Sequence, residues 1–146
     1  MPDDAVSAEL DELSCTLLGD ALDLLAEDEP MGVLLVVEDA DRVVAPYEFS
    51  DDGAEVCLLA ARQCVRDLAR AGGDAGQGLG TPVRYAIVYD GGVELAADGF
   101  QDALLLEFCE KGHTAYSAYV LYQGRGQGDG FAWADPEPAG EVEPLL

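Results

Sequence analysis

Cys109 and His113 stand four positions apart, and a thiol beside an imidazole is the pairing that turns sulfur into a nucleophile. His113 is the only histidine in the chain, so any cysteine–histidine chemistry must pass through it. Lys111-Gly112 between them reads as a two-residue hairpin turn, which sets Glu110 opposite His113 and Cys109 opposite Thr114. That register sends the sulfur and the imidazole to opposite faces of the sheet. The expectation is a core cysteine and a surface histidine beside Glu110, with no catalytic residue.

Carboxylates in short acidic turns, Asp39 with Asp41 and Asp51 with Asp52, are the oxygen ligands that hard cations take, but neither pair has the EF-hand spacing. Cys15, Cys57, Cys64 and Cys109 follow no zinc-ligand spacing and each lies in an apolar stretch, so they read as reduced core residues. Neither a metal nor a cofactor is expected. Two glycine-rich stretches, Gly76 to Gly80 and Gly124 to Gly130, invite a phosphate-loop reading. Such a loop runs from strand into helix. The first stretch runs from helix into strand and the second precedes no helix, so both read as flexible loops, with Arg125 the one anion-seeking residue in the second.

Arg62, Arg66 and Arg70 recur every fourth residue and so line one edge of a helix. They form a candidate anion-binding ridge for a carboxylate, a phosphate or an acidic partner segment. The competing reading is that they neutralise nearby acids, Asp67 with Arg70 for example, while their stems cover apolar surface. A second candidate surface is aromatic. Tyr85 and Tyr89 share one face of their strand, Tyr116 and Tyr122 one face of theirs, and Trp133 follows soon after. On a sheet covered on one side only, these side chains form an exposed patch suited to a partner. Ordinary strand propensity explains the same residues if the tail covers them.

The elements that hold these residues follow from periodicity. Leu10, Leu13, Leu17, Ala21, Leu24 and Leu25 recur at helical spacing between residues 5 and 26, with Asp3, Asp4 or Ser7 as the cap. Val33-Leu34-Leu35-Val36-Val37 is a short β-branched run that suits a buried strand, and Arg42 to Phe49 returns as its hairpin partner. Pro46 places that partner at an edge or a bulge. Asp52 and Glu55 resemble a capping box opening a second helix, which runs to Ala71 and stops at Gly72-Gly73. Three strands follow: Val83 to Asp90 with extension to Leu95, Asp102 to Glu110, and His113 to Gln123. Asp90-Gly91, Asp98-Gly99 and Lys111-Gly112 punctuate them. The order α-β-β-α-β-β-β predicts an α+β domain, a mainly antiparallel five-stranded sheet with both helices on one face, over residues 1–134. Residues 135–146 read as a loosely held acidic, Pro-rich tail. The order is similar to that of roadblock and longin-like small domains, an analogy of element order alone.

Thirty Asp and Glu against seven Lys and Arg leave a net charge of −23 on 146 residues, with 49% hydrophobic residues. The apolar fraction is that of a folded domain, not of a disordered chain. A folded surface of about 7,000 Å² spaces the net charges about 17 Å apart, about two Debye lengths, so self-repulsion is tolerable. The summed field still disfavours nucleic acid and anionic membranes, which are held by clustered Lys and Arg. A single Lys beside six Arg also fits the residue usage of a GC-rich or salt-adapted proteome. The acidic start, without a basic region or a long apolar run, predicts a cytoplasmic protein. These features point to a non-enzymatic interaction module, a scaffold or an acidic inhibitor-type protein. It would pair with itself or with another protein through an aromatic sheet face. The alternative is a small anion binder or weak enzyme built on the arginine ridge.

Overall fold

The computed structural model describes residues 7–29, 31–50, 53–95 and 99–146. Helix α1 spans Ala8–Ala26, strands β1 and β2 are Val33–Asp39 and Val44–Phe49, and helix α2 is Ala54–Ala71. Strands β3 (Pro82–Leu95), β4 (Gly99–Glu110) and β5 (Ala115–Gln123) follow, and two shorter strands, β6 (Ala132–Trp133) and β7 (Glu137–Val142), complete the chain. The fold is α+β, as the element order implies.

All pairings are antiparallel, in the order β2-β1-β3-β4-β5, with β6 and β7 both added to the outer side of β5. The sheet therefore has seven strands instead of the expected five. The brief pairing that Phe131 to Trp133 suggests is β6, two residues long, and the unforeseen strand is β7, whose Pro138 and Gly140 hide it from sequence periodicity. Pro46 sits on β2, the sheet edge, opposite Val36. At an edge its missing N–H costs no ladder bond.

The helices lie on opposite faces of the sheet, not on one. Leu17, Leu18, Ala21, Leu22 and Leu25 of α1 join Ala86, Val88, Leu104, Leu106, Val120 and Tyr122 in one core cluster. Cys57, Ala61 and Val65 of α2 join Val33, Leu35, Val37, Tyr85, Ile87 and Cys109 in the other. Even and odd positions of the same strands divide between the two clusters, as alternation demands. The physical reason was present in the pattern. Val33 to Val37 and Tyr85 to Val88 are apolar at successive positions, the mark of a strand buried on both sides, and only a helix on each face can bury both.

Local signals hold each end. Ser7 caps α1 by accepting from the Leu10 amide at 3.0 Å, and its hydroxyl donates to Glu110 Oε1 at 2.7 Å. Gly53 is the N-cap of α2. Asp52 of the expected capping box, and Asp3 and Asp4, lie outside the described residues. Gly72 is left-handed (φ +80°) and donates to the Leu68 carbonyl. A side chain on Gly73 (φ +121°) would meet the Leu79 carbonyl oxygen, so only glycine lets the chain turn back there.

Strand β3 takes the extension to Leu95 and runs through Asp90-Gly91 without a break; Leu105 leans over the bare Gly91, where a Cβ would stand 3.0 Å from its Cδ1. The β4–β5 register is Phe108 opposite Tyr116, one residue from the expected pairing. Lys111 donates to Val83 O at 2.7 Å, and His113 to Glu110 O at 2.9 Å. The connection between β4 and β5 thus covers residues 111–114 in place of the expected two-residue turn.

Candidate functional site

A cleft of about 340 Å³ runs along α2. Leu59, Arg62 and Arg66 form one wall, and Val142, Glu143 and Leu145, at and beyond the end of β7, form the other; Glu107 lies at its floor. The cleft exists because α2 packs chiefly over β2, β1 and β3, which leaves part of the same face of β4 and β5 for residues 142–145 to cover. Leu145 does so, buried in the cluster that contains Tyr85, Cys109 and Ala115.

Arg62 reaches Glu107 with two bonds, Nε to Oε1 at 3.1 Å and Nη2 to Oε2. Glu107 is 5% exposed, and Tyr89 adds a longer hydroxyl bond to Oε2 at 3.4 Å. A buried carboxylate is tolerable only when so paired. Arg66 Nη2 lies 2.6 Å from Glu143 Oε2, and Arg70 Nη1 lies 3.6 Å from Asp67 Oδ1 in solvent. The structure thus brings Arg62 and Arg66 into one cleft and leaves Arg70 outside it. All three are held by carboxylates. Hydrogen bonding to Glu107 raises the Arg62 pKa further, so this cation stays charged.

The five aromatics do not form one surface. Tyr85 is fully buried on the α2 face, and Tyr89 is half-buried on the same face. Tyr122 is buried on the α1 face, where its hydroxyl donates to Asp90 Oδ1 at 2.5 Å, and Tyr116 lies half-buried against Phe108, ring centroids 6.4 Å apart. Trp133 is 57% exposed and caps a run of tilted rings, 5.9 Å from Phe131, which is 5.7 Å from Tyr122. The patch divides because the sheet is covered on both faces.

Cys109 is fully buried, its sulfur 3.4 Å from the Glu110 carbonyl oxygen and 3.5 Å from that of His113. Burial pushes its pKa up, against the thiolate. The His113 ring is exposed, 3.8 Å from Glu110 Oε2. The two side chains are separated, though by a register other than the expected one. Asp39 accepts from the amides of Asp41, Val43 and Gly80, at 2.9, 3.0 and 2.7 Å. Its carboxylate is spent on closing the β1–β2 hairpin and tying it to the loop before β3. Among the described residues no group of three or more His, Cys, Asp and Glu is arranged to hold a metal ion; Asp51 and Asp52 lie outside them.

The glycine-rich stretches are likewise occupied from within. Asp74 accepts from the Gly76 amide at 3.1 Å, so this loop amide is already paired within the chain. Arg125 is shared between Asp28, at 3.1 Å, and Asp90, at 2.8 Å. A second internal network joins Arg84 to Glu38 at 2.7 Å and to Glu110 at 3.1 Å, with Arg42 on the other oxygen of Glu38 at 2.8 Å. Sequence reasoning passed over Glu38, Arg84 and Glu107. The signal available was a single charge inside an apolar strand, as in Leu104-Leu105-Leu106-Glu107-Phe108, which requires a cation from elsewhere in the fold.

Compared with protein-family models, curated proteins and solved structures, the chain matches none. Among the described residues no helix is long and apolar enough to cross a membrane.

Proposed function

We propose that this protein is a non-catalytic interaction module whose partner docks on the outer edge of α2 and the rim of the adjoining cleft. The observation that carries this reading is the exposure of Val56 (53%) and Leu59 (62%) on α2, one helical turn apart and beside that cleft. Large apolar side chains presented side by side on a carboxylate-rich surface lower the free energy when another protein covers them. Each of the six arginines already serves a carboxylate of the same chain, which disfavours the anion-binder alternative. The net charge of −23 speeds encounter with a partner whose body is basic and repels nucleic acid. The aromatic contribution narrows to the exposed Trp133.

Co-purification from the native cell with wild-type protein and with the double variant Val56→Asp, Leu59→Asp tests the reading. A partner held by the wild type, lost by a variant with an unchanged circular dichroism spectrum, and weakened by salt is the expected result. Equal recovery by both proteins, or a wild type that stays alone and monomeric, refutes it.

A further inference from the structure

The cleft beside α2 is closed by residues 142–145 of the same chain, and the manner of closing bears on what else could fit. Strand β7 is exposed at every residue except the half-buried Val142, so it adds little to the core. Glu143, Leu145 and the half-buried Leu146 anchor the segment beyond it. Glu143 sits on Arg66 at 2.6 Å while its side chain remains 77% exposed, and Leu145 fills an apolar hole at 9% exposure. Beneath that hole lies Tyr85, fully buried, its hydroxyl without a well-aligned hydrogen-bond partner. Besides burial, the groups acting on this hydroxyl are Cys109, the Leu145 backbone amide, Glu107 and Arg62, and the last three belong to the cleft. A buried hydroxyl so poorly satisfied is costly and rare.

We propose that this cleft is a docking groove for an extended peptide of a partner protein. The peptide would carry one carboxylate two residues before a leucine-like side chain, and residues 142–145 hold the groove shut in cis. The inference rests on the interaction-module reading and specifies the ligand of the same region. When the segment lifts, Arg66 loses the Glu143 carboxylate, Tyr85 faces the opening, and the leucine hole empties. An incoming carboxylate replaces Glu143, an apolar side chain replaces Leu145, and a polar backbone atom can meet the Tyr85 hydroxyl. Leu59, exposed at the rim, extends the apolar contact. A wholly acidic peptide is repelled by the net charge of −23, so the favoured occupant has a single carboxylate and basic flanks. Local opening of such a weakly held segment is ordinary behaviour.

The test uses the full chain and a synthetic peptide with the sequence Val-Glu-Pro-Leu-Leu between two pairs of lysines, followed by fluorescence anisotropy. The apparent affinity is reduced by the fraction of time the groove is shut. Glu143→Gln, a change at an exposed site, and Leu145→Ser should therefore each bind the peptide about tenfold tighter than wild type. Arg66→Glu should lose binding, and a peptide with Arg in place of its Glu should recover it. Peptide affinity that is the same in wild type, Glu143→Gln and Arg66→Glu overturns the proposal, as does no binding to folded Glu143→Gln. If the peptide fails while Val56→Asp, Leu59→Asp still loses its partner, the groove is wrong and the interaction module stands.

Discussion

Arg62 on helix α2 reaches down to Glu107 on strand β4 with two donors, Nε at 3.1 Å from Oε1 and Nη2 on Oε2. The pair ties a helix to a strand outside its main packing partners, and it puts a neutralised charge at the floor of the cleft. Removing Arg62 alone leaves a carboxylate stranded at 5% exposure. Arg62→Met should cost about 3 kcal/mol, whereas Arg62→Met with Glu107→Leu should restore most of that loss. Urea denaturation of the three proteins measures it, and a single variant within about 0.5 kcal/mol of wild type would contradict a structural role for the pair.

The two sides of the helices should respond very differently to truncation. Leu25 is fully buried on α1 and Leu59 is 62% exposed on α2. Leu25→Ala should destabilise by about 2–5 kcal/mol and Leu59→Ala by less than about 0.5 kcal/mol. A large stability loss for Leu59→Ala would mean that this side chain packs within the molecule, and that it is not free for a partner.

Acid should act through Asp39. The Gly80 amide, with those of Val43 and Asp41 and the charge of Arg84, outweighs burial and holds this carboxyl below its ordinary range. A lowered folded pKa stabilises the protein fully above the unfolded value near about 4, and that stability is lost as pH falls through the folded value. Asp39→Asn should therefore be less stable than wild type at pH 7, with the gap closing towards pH 2 in denaturant titrations. A gap that widens on acidification reverses the sign and rules this account out.

Thiol reactivity should follow burial. Cys57 and Cys109 are buried, Cys64 is half-buried and Cys15 is exposed. Burial raises the Cys109 pKa, and partial burial followed by Asp11 raises that of Cys15. Native protein treated with an aromatic disulfide reagent should lose Cys15 slowly and first, with Cys57 and Cys109 reacting only in denaturant. Fast native reaction at Cys109 would reveal an activated sulfur and revive the Cys109–His113 pairing.

Local order determined much of the fold. Helical spacing over Leu10 to Leu25, the stop at Gly72-Gly73 and the edge position announced by Pro46 all depend on neighbours within a few residues, and a linear chain displays these directly. The double-sided burial of Val33 to Val37 was also written there, although its consequence, one helix on each face, was not drawn. The end of β4 is held by a long-range bond from Lys111 to Val83 of β3, and the one-residue shift of β5 against β4 follows from such tertiary pairing, which no local pattern encodes.

What the sequence alone settled was the α+β class, the two helices and the acidity. Tertiary structure decided which charges meet: Arg62 with Glu107, Arg66 with Glu143, Arg84 with Glu38 and Glu110. These partners lie between 26 and 77 positions apart. Their attraction is short-ranged and unspecific until the packed core brings them within bonding distance, so the cleft beside α2 existed only once the sheet had formed.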